Sequence, residues 1–142
     1  VIHSGTIPIK TRGNNDMHDL TRAVQDIVKE SGIASGMVSL FTPSSTSALT
    51  TIEFESGALD DLRRALEQIA PSNVDYKHNL RWGDGNGHSH LRAALVGPSL
   101  TVPVRSKRLC LGTWQQILFI DFDVRARQRE ILVQVMGEPQ ED

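Results

Sequence analysis

The sequence predicts an α+β fold built on antiparallel sheet. Segments with helical periodicity occur before residue 97, and after Gly97-Pro98 strand-like segments follow one another with short connections. Strands joined that closely pair antiparallel, because a parallel crossover takes a dozen or more residues. The size agrees with this reading. A chain of 142 residues, 39% hydrophobic and 23% charged, is ordinary globular material and suits one domain spanning residues 1–142.

The elements follow in order. Val1 to Lys10 reads as an opening strand at a sheet edge, because Pro8 has no N–H to give a ladder. Residues 16–31 read as a helix, capped by Asn15 or Asp16, with Met17, Leu20, Val24, Ile27 and Val28 as its apolar stripe and Gly32 as its stop. Met37–Phe41 and Thr46–Glu53 read as strands. Residues 58–69 read as a second helix, with Leu59, Leu62, Leu66 and Ile69 on one face and Pro71 beyond its end. An irregular stretch covers 71–88, and a short third helix covers 90–96 with Ser89 as its cap. Ser99–Val104, Arg108–Leu111, Thr113–Phe122 and Glu130–Met136 read as strands. Arg105-Ser106-Lys107 is a hairpin loop, and Val124–Gln128 is a connection in a region that places arginines at 125, 127 and 129.

Charge and cysteine content narrow the functions. With 15 basic and 17 acidic side chains the net charge is −2, unlike the basic footprint of a nucleic-acid binder. One cysteine, Cys110, forms no internal disulfide, so a reducing cytoplasmic setting is expected, with the thiol buried between Leu109 and Leu111. The opening residues lack the pattern of a secretory leader, and no apolar run is long enough for a membrane span.

The stretch from Tyr76 to Arg92 carries the most chemistry, with three of the five histidines and the alternating glycines Gly83, Gly85 and Gly87. A long loop inside a compact domain is usually functional or disordered, and Trp82 and the histidines argue against disorder. His78, His88 and His90 suit a divalent metal such as zinc, for which a catalytic site takes three protein ligands and leaves one position open. Extended backbone would turn His88 and His90 the same way, whereas a helix would set them about 200° apart. The competing reading has the three imidazoles satisfied by backbone carbonyls or exposed in a polar loop. The glycines also allow an anion cradle, with N–H groups of Gly85, Asn86 and Gly87 turned inward and Arg81 and Arg92 flanking it, or an ordinary glycine-rich turn. Asp84 suits a supporting position behind a metal, or a general base, better than phosphate contact.

Glu53 and Glu55 would share a strand face and divide acid and base roles or hold a divalent cation, or simply end a strand in solvent. No nucleophile elbow surrounds Ser44 to Ser47. Trp114 is expected to pack in the core or to wall a pocket, and one of Gln115 and Gln116 to point inward.

Taken together, Ser45–Glu53, Tyr76-Lys77-His78, His88–Ala93, Gly97–Pro103, Leu111–Ile117 and Val135–Glu138 resemble the YjbQ-like family, often labelled secondary thiamine-phosphate synthase, over nearly the whole chain. The resemblance implies a β-sandwich-like antiparallel core with two longer helices and one short helix on its side, and a homotrimer. It also implies a weak ability to join a pyrimidine diphosphate to a thiazole phosphate. Magnesium would accompany a diphosphate substrate. The family histidines fall on His78 and His90, while a third family histidine position is occupied here by Ser44, with His88 as its conjectured substitute. On this reading Asp84, Glu53 and Arg92 are the catalytic candidates. Arg81, Gly85, Asn86, Gly87, Trp114 and Gln115 would bind a small phosphorylated ligand. The alternative is a non-catalytic homotrimer that binds a divalent metal or small anion. No nucleic-acid or membrane partner is expected.

Overall fold

The computed structural model describes residues 1–140. The elements run β1 (Ile2–Thr11), β2 (Asp16–Asp19), α1 (Thr21–Ser31), β3 (Ile33–Phe41), β4 (Ser47–Ile52), α2 (Ser56–Ile69), α3 (Lys77–Trp82), α4 (Gly87–Val96), β5 (Ser99–Arg105), β6 (Arg108–Leu109), β7 (Gln116–Asp121) and β8 (Arg127–Pro139). Two antiparallel sheets result, a larger one ordered β1-β8-β3-β5-β6 and a smaller one ordered β2-β7-β4. The fold is α+β, as the sequence predicts.

The apolar pattern explains the layers. Alternate residues of the large sheet, among them Ile7, Val38, Val102 and Val133, meet Val24 and Val28 of α1 and Leu49, Ile117 and Phe119 of the small sheet in one core. Leu118, Ile120 and Phe122 turn the other way, into a second core with Leu59, Leu66 and Ala93 from α2 and α4. The middle strand β7 is thus covered on both faces, so Ile117 to Ile120 is an uninterrupted apolar run. Burying each such side chain contributes roughly 1.5–3 kcal/mol. Among the described residues nothing covers the outer face of the large sheet, which exposes Ile2, Met37, Phe41 and Leu132.

Local signals place most boundaries. Pro8 lies on β1, an edge strand paired only with β8. Ser106 and Lys107, with φ of 50° and 65°, form the two-residue hairpin turn between β5 and β6. Gly32 ends α1 at φ 71°.

Several expectations are corrected. Residues 16–19 form β2 rather than helix, because Asp16 to Asp19 pair with Asp121 to Leu118 of β7. The carboxylate at the helix start is therefore Asp19, which accepts from the Thr21 N–H at 3.0 Å and hydroxyl at 2.7 Å, and not Asn15 or Asp16. The stretch 71–88 contains α3, and α4 begins at Gly87, three residues earlier than expected. Thr113 and Trp114 form a turn before β7, leaving Trp114 71% exposed rather than in the core. Cys110 lies beyond the two-residue edge strand β6 and is exposed rather than buried. No helix of the described residues is long and apolar enough to cross a membrane.

Candidate metal centre

His78 stands on α3, His90 on α4, and Asp84 on the loop between them. Gly83 allows that loop its turn, taking the left-handed conformation at φ 65° as the C-cap of α3. Gly87 lets α4 start against Tyr76, for a Cβ there would stand 2.5 Å from the Tyr76 Cβ. The two imidazole rings lie 4.4 Å apart, tilted by 55°. One ligand atom from each of His78, Asp84 and His90 falls within 4.8 Å of the others. Donors around a four-coordinate zinc stand about 3.3 Å apart at bond lengths of ~2.0 Å, so a small inward movement would close the set.

Hydrogen bonding distinguishes the nitrogens. His90 Nδ1 lies 3.1 Å from the Ser45 carbonyl oxygen. A carbonyl only accepts, so Nδ1 carries the proton and Nε2 offers a lone pair. Among the described residues two ring nitrogens are shut off from solvent without a hydrogen-bond partner, His88 Nδ1 and His78 Nδ1, and Asp84 Oδ1 stands 3.4 Å from the latter. Asp84 Oδ1 also accepts the Asn86 N–H at 3.1 Å. Beside His90 a recess of about 230 Å³ is lined by Ser44, Ser45, Ser47, Ala93, Ala94 and Pro98.

The other residues singled out in the sequence fall elsewhere. His88 sits two residues before His90 on the same helix, so it does not turn with His90 as an extended backbone would require. Its ring is buried, and burial, followed by the charge of Arg92, holds its pKa below 6.5. Arg92 is also buried, and it clasps α4 to α2. It donates to the Ala70 carbonyl through Nε at 3.0 Å and Nη2 at 2.8 Å, to Glu67 at 2.6 Å and to Asn15 at 3.0 Å. The Ser72 N–H, and then Arg92, hold the Glu67 carboxyl below its usual range. The N–H groups of Asn86 and Gly87 are taken by the side chains of Asp84 and Asn79, so they do not form an open anion cradle. Gly85 is exposed at φ 71° in the same loop. Arg81 is exposed on α3, its guanidinium 5.9 Å from the centre of the Trp82 ring.

Glu53 and Glu55 do not share a strand, since β4 ends at Ile52. Glu55 caps α2, accepting the Gly57 and Ala58 N–H groups, and Glu53 is exposed. Gln115 accepts the Gly112 N–H and donates to Thr51, lining a groove along α1 that includes none of the histidine cluster.

Behind the cluster lies a buried ionic network that the reading of single motifs passed over. Arg129 grips Asp121 through Nε at 2.9 Å and Nη2 at 3.1 Å, and donates to the Thr46 hydroxyl at 2.8 Å. Asp121 further accepts from the Thr11 hydroxyl and the Asp123 N–H. Burial pushes the Asp123 pKa up, but hydrogen bonds from the Arg125 N–H, Thr46, Arg127 and Asn86 hold it below its usual value. The sequence signal was there: Asp121 and Asp123 two apart at the end of an apolar strand, then arginines at 125, 127 and 129 in the same period.

Comparison with known proteins bears on the whole chain. The family model described as UPF0047 protein YjbQ-like matches residues 5–138. A UPF0047 protein of Methanothermobacter thermautotrophicus is 39% identical over 97% of this chain and 94% of its own. The UPF0047 protein YugU of Bacillus subtilis is 35% identical over 93% of this chain and 98% of its own. Among solved structures, a YbjQ-like protein of unknown function from Sulfolobus solfataricus superposes with a TM-score of 0.92 at 33% identity, covering 97% of this chain and 99% of that one.

Proposed function

We propose that this chain, which belongs to the YjbQ-like UPF0047 family, holds a divalent metal ion between His78, Asp84 and His90. One observation carries the reading: the closed-off, unpartnered His78 Nδ1 stands in the same small space as the Asp84 carboxylate and the His90 ring. Buried polar atoms almost always find partners, and an exception at the centre of a ligand set points to a missing ligand. Two imidazoles and one carboxylate suit zinc better than magnesium, which prefers oxygen. Zinc at such a site, with a position left open, supplies Lewis acidity to a bound ligand. The chain's own residues do the rest. Ser44 and Ser45 border the recess beside His90 that a small ligand would enter, and Asp84, exposed on the loop between α3 and α4, completes the ligand set.

The transferase chemistry is the second reading, favoured by Arg81. It lies three residues after His78 on α3, so the two share a helix face and a phosphorylated ligand could span the metal and the guanidinium. Arg92 does not serve that role, because its donors are taken up in the clasp between helices. Saturable formation of thiamine phosphate from a pyrimidine diphosphate and a thiazole phosphate, with KM raised by Arg81→Gln, would establish this reading. No turnover would leave the metal-binding reading alone.

Self-association into a homotrimer belongs to the same proposal. The outer face of the large sheet supports it, with Met136 between Met37 and Ile2, and Phe41 beside Leu132, across neighbouring strands. Sedimentation equilibrium should give three times the chain mass.

The metal proposal is tested by competition against a chromophoric zinc chelator. Wild-type protein is expected to hold one ion per chain, and His78→Ala and His90→Ala to weaken it at least 100-fold. Unchanged affinity in both variants would contradict the assignment.

A further inference from the structure

We propose that Asp123 is the positioning residue of the centre. Acting through Thr46 and Asn86, it fixes the His90 tautomer and the Asp84 carboxylate from behind. The inference deepens the metal reading and rests on it, but the tautomer can be measured without any metal.

The argument runs through one peptide plane. The Ser45 carbonyl that meets His90 Nδ1 belongs to the same planar peptide as the Thr46 N–H, so holding one holds the other. That N–H meets the Ser44 hydroxyl at 3.2 Å. The Thr46 hydroxyl donates to Asp123 Oδ2 at 3.0 Å and accepts from Arg129 at 2.8 Å, and the Thr46 carbonyl accepts the Phe122 N–H at 2.9 Å. Thr46 is therefore pinned at its hydroxyl, N–H and carbonyl, and its hydroxyl proton goes to Asp123.

The other oxygen of Asp123 works on the opposite side of the centre. Asn86 Nδ2 lies 3.4 Å from Asp123 Oδ1. Asn86 Oδ1 accepts the Val124 N–H at 3.1 Å, which fixes the amide orientation, while the Ser89 hydroxyl lies between Asn86 Oδ1 at 2.9 Å and the Phe122 carbonyl at 2.7 Å with one proton to give. The Asn86 N–H then holds Asp84 Oδ1 at 3.1 Å. One carboxylate, 2% exposed, thus governs the loop that gives His90 its acceptor and the loop that bears Asp84. The Thr46 arm, 0.4 Å shorter, is the stronger. Outer partners of this kind set the tautomer and basicity of metal-binding histidines, and losing one typically lowers affinity 10–100-fold.

The test uses metal-free, ¹⁵N-histidine-labelled protein at about pH 8, where an ordinary imidazole is neutral. Long-range ¹H–¹⁵N correlation should show wild-type His90 protonated at Nδ1. Asp123→Asn and Thr46→Val should each admit the Nε2-protonated form and weaken zinc at least tenfold, and Thr46→Ser should restore both. If Asp123→Asn does not fold, the Thr46 pair decides. Folded variants that keep the wild-type tautomer overturn the proposal, whatever happens to zinc affinity. A tautomer shift in protein that binds no zinc even as wild type would remove the metal reading while upholding the positioning of His90.

Discussion

Two clusters of charged and polar side chains lie close together in this molecule, and they differ in one respect. Around Asp121 and Asp123 the carboxylates face arginine, threonine or backbone donors, and neither carboxylate atom is left buried and unpaired. At His78, Asp84 and His90 the groups are half-buried or exposed, and a closed-off ring nitrogen has no partner. Both clusters use polar and charged side chains; they differ in whether the ring and carboxylate atoms they bury are paired, although His88 Nδ1, outside the ligand set, is also buried without a partner. The complete network joins the two sheets and the 42–47 segment, and the incomplete one is the ligand set for which we propose a metal.

The comparison breaks first, and most severely, if the complete network is disrupted. Arg129→Met leaves the fully buried Asp121 without its guanidinium, and urea unfolding should show a loss of about 3–5 kcal/mol. Adding Asp121→Asn should recover part of it. A loss below ~1 kcal/mol for the single variant would mean that the network is not structural.

Next in size, His90→Ala should lower zinc affinity at least 100-fold, equivalent to about 2.7 kcal/mol of binding, while unfolding free energy changes by no more than ~0.5 kcal/mol. A large loss of fold would place His90 with the architecture instead.

A smaller effect belongs to His88. Its folded pKa lies below 6.5, so the unfolded chain binds its proton first as pH falls. The stability associated with neutral His88 is present above about pH 6.5 and is lost as pH falls through the folded pKa. His88→Gln should flatten thermal stability across that window, and an unchanged pH profile would contradict the assignment. Smallest of all, Asp60→Asn removes an exposed pair with Arg63 and should shift unfolding by less than ~0.5 kcal/mol.

Parts of this were legible in the sequence for physical reasons. The run Ile117–Ile120 announces a strand covered on both faces, Leu59 and Leu66 mark a helix face, and Gly32 marks a helix end. His78, His88 and His90 stand out together by residue type and spacing, and the family resemblance singles out His78 and His90 among them. What misled was reading the glycines as loop formers. Gly87 is there for close approach to Tyr76, so α4 starts earlier and carries His88 away from His90. Residues 16–19 went to strand because pairing with β7 outweighs helix periodicity at a boundary. Arg92 looked free because nothing local shows that its partners lie at Asn15, Glu67 and Ala70.

The most direct test of the incomplete cluster is an anomalous difference map across the zinc edge, from crystals of untagged protein equilibrated with zinc. A single strong peak within about 2.2 Å of His78 Nδ1, His90 Nε2 and an Asp84 oxygen is the predicted result. A zinc-saturated crystal with no peak among these three residues would contradict the account.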